Sequence, residues 1–426
     1  MASGAEIANN MAEAGLNAVF NSMVFIRDGK TCPLKEAMDG KTYPGTFYTG
    51  VVKGTGQRKD KIMIRAQSGG FIDGEAMMST ISPLVGEGNM EESCKLGVEA
   101  VVNNQQWLDL RDYTFVLLGA TSEMGPLDFL LDCGATIVAV ARGGSSNEGK
   151  WRKLLERAQS SAGTLIVPLN KDVPSSDLTL MAANAGADCL SDAPELAKWI
   201  SEILPNSSSR WNIGCYIYLD GESFVRAAAA MDAIATQVQI RRASLYPRAE
   251  KVGLLFIETP SNFHAVPEMC QVQSKKYRNS APWWQQLLLR VGALKPLKFT
   301  NDERLFPLNG KPSVLCNALI AVQGPNYSLA KLIQRWRIIR ARSTGHFVSV
   351  NVGPATATGS VMHVKKVAMA LESCHHFLPQ RLFQPDIVKG VLGLLLVRDL
   401  RDAKSKANPN VPIVNPLELI ADQVTQ

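Results

Sequence analysis

Long apolar runs are missing from this chain. No stretch of about 18 consecutive apolar residues occurs in it, so no segment reads as a bilayer-spanning helix. Metal-ligand spacings are missing too. The eight cysteines are scattered without a CxxC pair, and several, such as Cys215 in IGCYIYL, lie in apolar runs that suit buried free thiols in a reducing compartment. The five histidines (His264, His346, His363, His375 and His376) include no HExxH, so no metal site is expected. Neither sign of charge forms a block: 45 Lys and Arg stand against 39 Asp and Glu, a net +6, with the basic residues dispersed. That excludes a nucleic-acid stripe and suits, weakly, an anionic ligand. Internal repeats and low-complexity tracts are absent. The N-terminus, MASGAEIANNMAEAG, resembles neither a secretory signal nor an Arg-rich targeting peptide, so a soluble, cytoplasmic protein is expected.

What is present is an alternation. Apolar runs of β-formers recur at Thr114–Leu118, Thr136–Ala141, Thr164–Pro168, Asn212–Leu219, Val252–Glu258 and Phe347–Val352. Helical patterns fall between them at Gly149–Ser160, Ala193–Ile203, Ser223–Arg241 and Ser328–Arg342. Strands alternating with helices predict a parallel sheet covered on both faces, an α/β fold of Rossmann type. Residues 1–108 read as an N-terminal lobe or extension, 109–365 as the nucleotide-binding domain, and 366–426 as a helical tail. An insertion, about 262–318, separates the fifth strand from the sixth and carries Trp283–Trp284 and the apolar-basic run Gln285 to Lys298. That run reads as an amphipathic helix covering the active site or a partner subunit, with a lipid-touching element as the alternative. A possible homo-oligomer is left open.

The chemistry is concentrated at three places. FVLLGATSEMG (Phe115 to Gly125) is a strand breaking into a small-residue turn before a helix-like segment, Pro126 to Asp132. Such a turn brings a dinucleotide pyrophosphate to backbone N–H groups and a helix N-terminus, which nominates Gly119, Thr121, Ser122, Met124 and Gly125 as cofactor contacts. After the second strand stands Arg142, with no acid nearby; an Arg there accommodates a 2′-phosphate and favours NADP over NAD. Tyr327 and Lys331 stand four apart at the start of an apparent helix and so share a face. A lysine cation beside the phenol lowers its pKa and readies it for proton transfer. The arginines at 335, 337, 340 and 342 on the same helix read as a solvated face or as contacts to another lobe.

With Gly253–Ser261, a buried strand ending in hydroxyls, and Phe347–Thr358, a strand running into a Gly-Pro loop and threonines, these features resemble the short-chain dehydrogenase/reductase superfamily, as an atypical, extended member. The resemblance covers about Asp112 to Thr358. GATSEMG stands at the family's glycine turn, Tyr327 and Lys331 at its YxxxK pair, and Gly353, Pro354 and Thr356 in its segment closing over the nicotinamide. The chain departs from the pattern in three ways. Glu123 replaces a glycine, the family's Asn-Asn-Ala-Gly gives way to Tyr218–Glu222 with Leu219 in place, and the serine before the tyrosine has no counterpart at its usual spacing. Thr259 or Ser261 would take that serine's role, and Asp188, in preference to Asp172, the acidic adenine contact. The resemblance implies an NADP(H)-dependent oxidoreductase that moves hydride between nicotinamide and a small, apolar carbonyl or alcohol substrate, with Tyr327 as the acid. The rivals are a non-catalytic nucleotide-binding relative and a transferase using another adenine cofactor.

Overall fold

The computed structural model describes residues 4–61, 63–65, 70–203, 210–295, 298–300, 312–319, 323–377 and 380–413. The chain opens with helix α1 (Gly4–Ser22) and strand β1 (Tyr48–Lys53). A first half follows: β2 (Tyr113–Leu118), α2 (Leu127–Asp132), β3 (Thr136–Val140), α3 (Glu148–Gln159) and β4 (Thr164–Leu169). α4 (Ala193–Ile203), β5 (Arg210–Cys215), α5 (Glu222–Leu245) and β6 (Gly253–Glu258) come next. An excursion then carries β7 (Phe263–Pro267), α6 (Glu268–Asn279), α7 (Trp283–Arg290), β8 (Lys298–Thr300) and β9 (Ser313–Asn317). The chain returns through α8 (Gly324–Ser343) and β10 (Val348–Val352), and α9 (Pro385–Arg401) packs against the sheet near the end.

The main sheet has seven strands in the order β10-β6-β5-β2-β3-β4-β1. Every neighbouring pair is parallel except β1 and β4. The fold is therefore a Rossmann-type α/β sheet whose order reverses between β2 and β5. All six residues of β2 are buried, because helices cover both faces. Its side chains divide by the two-residue period of a strand. Phe115 and Leu117 enter the core under α3 and α9, while Val116 and Leu118 enter the core under α4, α5 and α8.

The N-terminal residues belong to this sheet. β1 pairs along β4 from Tyr48↔Leu169 to Lys53↔Thr164 and covers an otherwise open sheet edge. α1 lies against α8, where Gly15 leaves room for the Trp336 ring. Arg340 meets Glu13 at 3.1 Å, and Ser343 Oγ donates to Asn9 at 2.6 Å. The arginines of α8 are not a solvated face. Arg337 makes a bidentate pair with Asp232 of α5, its second bond 3.0 Å long, and Arg342 donates to the carbonyls of Lys406, Asn408 and Pro409. Of the two sequence readings, contacts to other parts of the chain is the one observed.

In the insertion, β7, β9 and β8 form a separate antiparallel sheet. Among the described residues no helix is long and apolar enough to cross a membrane, and no cluster of metal-ligating side chains occurs.

Candidate functional site

Open α/β sheets bind ligands beyond the carboxyl ends of their strands, at the point where strand order reverses. Here that point lies between β2 and β5, and β2 delivers the glycine turn to it. Gly119 has φ +93°, and a Cβ there would lie 2.9 Å from the Ile217 nitrogen, so the position excludes a side chain twice over. The N–H groups of Gly119 and Ala120 both donate to the Val140 carbonyl at 3.0 Å, which ties the turn to the end of β3. Ser122 N–H donates back to Gly119 O at 2.8 Å, and Gly125 N–H to Ser122 O at 3.0 Å. Thr121 is exposed, while Ser122 and Met124 are half-buried. Glu123 is held: its carboxylate accepts the Gly359 N–H at 2.7 Å. The residue that breaks the glycine pattern thus ties the turn to the segment following β10.

Arg142 is exposed beyond the end of β3. Its carbonyl accepts the Trp151 indole N–H at 3.1 Å, and its guanidinium has no partner among the described residues. Asp188 lies beside it, because Ala187 N–H pairs with Ala141 O at 2.9 Å. One carboxylate oxygen of Asp188 accepts the Leu190 N–H at 2.8 Å, so part of its acceptor capacity serves the local turn.

A polar cluster lies where β6 ends against α8. On that helix Tyr327, Lys331 and Arg335 recur at i, i+4 and i+8 and share one face. Thr259 and Ser261 hydroxyls lie 2.6 Å apart, and both act on the Tyr327 phenol to lower its pKa. Gln323 donates to Ser261 Oγ at 2.7 Å. The Tyr327 ring stands edge-on to Tyr218, centroids 6.3 Å apart, and 5.7 Å from Phe224, with Leu219 in the same apolar group. His264 Nε2 lies 3.0 Å from the Thr259 carbonyl. A carbonyl only accepts, so that nitrogen carries the proton, and the buried Nδ1 has no partner among the described residues.

Beneath the hydroxyls lies Glu258, 1% exposed, between two cations. Lys331 Nζ is 3.9 Å from one carboxylate oxygen and Arg335 3.7 Å from the other. Lys331, itself 6% exposed, donates to the Ile257 carbonyl at 3.1 Å. Burial pushes the Tyr327 pKa above that of a free phenol, opposed by the Thr259 and Ser261 hydroxyls. Burial also lowers the Lys331 pKa, opposed by the Glu258 charge, and lowers that of His264, helped by the nearby Arg335.

The loop after β10 closes the arrangement. Gly353 N–H donates to the Glu258 carbonyl at 3.0 Å, which sets Gly353 and Pro354 beside the end of β6. Thr356 Oγ1 turns back to the Pro354 carbonyl at 2.7 Å, and Ala355 and Ala357 bond Phe383, each at 2.9 Å. The fold therefore brings Thr259, Ser261, Tyr327 and Lys331 together, sets the Gly353 loop beside them, and links that loop to the Gly119–Gly125 turn through Glu123. Arg142 and Asp188 stand apart, beyond β3. Sequence reasoning missed Glu258, Gln323 and Arg335; His264 lies buried on β7. The one available signal was the continuation of the Tyr327–Lys331 spacing to Arg335.

No protein-family model matches this chain, and no curated protein does. Among solved structures it is similar to one described as "Structure of A-type Ketoreductases from Modular Polyketide Synthase", at 13% identity and a TM-score of 0.37, over 68% of this chain and 46% of that one. It is likewise similar to "Structure of A1-type ketoreductase", at 12% identity and a TM-score of 0.37, over the same shares. The chain thus spans less than half the length of either.

Proposed function

We propose that this protein is an NADP(H)-dependent reductase in which Tyr327 delivers a proton to the carbonyl oxygen of a small apolar substrate. The observation that carries the reading is the convergence of three hydroxyls, on Thr259, Ser261 and Tyr327, at the carboxyl end of β6 in a sheet whose order reverses just beyond the neighbouring strand β5.

The residues fit the adenosine half of the cofactor: Gly119 presents bare backbone, Arg142 is a cation with no partner among the described residues, and Asp188 lies beside it. At the pyrophosphate half, the Glu123 carboxylate adds a negative charge beside the turn, held by the Gly359 N–H at 2.7 Å. The bound nicotinamide would supply the hydride. Thr259 and Ser261 hold the substrate oxygen, and Tyr327 gives it a proton, becoming a phenolate that solvent reprotonates. Tyr218 and Phe224 supply apolar walls.

NADPH is expected to stabilise the chain, by about 2.7 kcal/mol at a hundredfold excess over its dissociation constant. NADH is expected to do so less, and S-adenosylmethionine not at all. A thermal-shift series with the three ligands checks this, and stabilisation by S-adenosylmethionine alone would favour the transferase. The pH dependence follows from burial. A raised pKa keeps Tyr327 protonated through neutral pH, so reductive turnover should stay level and fall only above about pH 10. A kcat–pH profile in the reductive direction tests the sign, and a fall between about pH 7 and 9 would remove Tyr327 as donor.

A second reading, a non-catalytic relative that binds the nucleotide as a structural or sensing ligand, has two observations in its favour. The Lys331 amine is committed to the Ile257 carbonyl and Glu258, and Glu123 bridges the turn. Stabilisation by NADPH without oxidation of NADPH by any carbonyl in a panel would select it.

A further inference from the structure

Helix α7 is anchored by one side only. Gln285 is buried, and the Trp284 ring meets Phe377 edge-on with centroids 5.4 Å apart. The other side carries Trp283, Leu287 and Val291 at i, i+4 and i+8, which are 78%, 50% and 67% exposed. Trp283, the largest apolar side chain of that stripe, is therefore left open to solvent. Both ends of the stripe are basic. Lys275, Lys276 and Arg278 close α6, a few residues before α7, while Arg290 ends α7 and Lys295 and Lys298 follow it. All six are exposed and none has an ion-pair partner among the described residues. Between residues 268 and 300 the one acid is Glu268.

We propose that α7 docks this protein onto the surface of a membrane containing anionic lipid. Trp283, Leu287 and Val291 enter the boundary between headgroups and acyl chains, and the flanking cations meet the headgroup charge. An interfacial helix needs this division, an aromatic-aliphatic stripe beside Lys and Arg, and does not need the length of a spanning helix. Charge argues against a second copy of the chain as the occupant, because pairing across a two-fold axis would set six cations against the same six. The inference is independent of the proposed catalytic role.

The full-length protein is expected to co-sediment with vesicles of three parts phosphatidylcholine to one part phosphatidylserine, and to stay in the supernatant with phosphatidylcholine alone. The double variant Trp283→Ser, Leu287→Ser should lose at least tenfold in partitioning with an unchanged melting temperature, since both side chains are exposed. The double variant Lys275→Glu, Lys276→Glu should show the same loss, and added salt should mimic it. Three results would overturn the proposal: no binding to the phosphatidylserine vesicles, equal binding by the Trp283 variant, or a dimer in solution that the Trp283 variant dissolves. Equal capture of the wild type by soluble poly-glutamate would also overturn it and assign the face to an acidic protein.

Discussion

Tyr327→Phe is expected to lower reductive turnover by about 10²–10⁴-fold, the usual contribution of a positioned general acid, while leaving NADPH binding unchanged. The phenol is the one group of the hydroxyl cluster that presents an acidic proton near neutral pH. Thr259 and Ser261 are alcohols, too weakly acidic to replace it. The lost oxygen leaves those two hydroxyls bonded to one another at 2.6 Å and Ser261 bonded to Gln323 at 2.7 Å, so no buried donor is stranded. The cost in stability should therefore stay near about 1 kcal/mol, that of one hydrogen bond. Steady-state kinetics and a melting curve on the same preparation separate the two effects. Turnover equal to wild type, with NADPH still bound, would leave the proton to another group and end the assignment.

Asp232→Ala carries the largest expected loss of stability, about 3–5 kcal/mol, because it strands the Arg337 guanidinium, its side chain 12% exposed, between α5 and α8. A domain's total stability is about 5–15 kcal/mol, so urea unfolding should show a large fall in midpoint. The double change Asp232→Leu, Arg337→Met should recover most of it, since two apolar side chains fill the volume without a charge to desolvate. If the double variant is no better than the single one, the loss comes from packing and not from the unpaired charge. The pair also bears on the site, because α8 carries Tyr327 and Asp232 helps hold that helix against α5 beneath β5 and β6. Turnover in Asp232→Ala should fall with the folded fraction.

Much of the core was legible. Strands buried on both faces appear as unbroken apolar runs, and β2, β4 and β6 lie within a residue of their expected limits. α4 spans Ala193–Ile203 as its periodicity predicts. β5 ends at Cys215, short of the expected Leu219, because the chain leaves the sheet at Ile217, which packs over Gly119. Period alone cannot report such an exit, since the residues remain apolar after pairing stops. The place of β1 in the sheet was not legible either. Its pairing with β4 joins segments more than a hundred residues apart, and nothing local records that.

The same division runs through the site. Local sequence determines that Gly119 must be bare and that Tyr327 and Lys331 share a helical face, because φ and helical period are properties of neighbouring residues. Which partner each charge takes is a matter of distance in space. Only the seating of α8 against the end of β6 turned Lys331 toward Glu258 and the Ile257 carbonyl, and burial there raised the Tyr327 pKa where adjacency in sequence suggested it would fall. Glu123 follows the same rule: the sequence marks it as the wrong residue for a glycine turn, and the fold supplies its use, an N–H more than two hundred residues away.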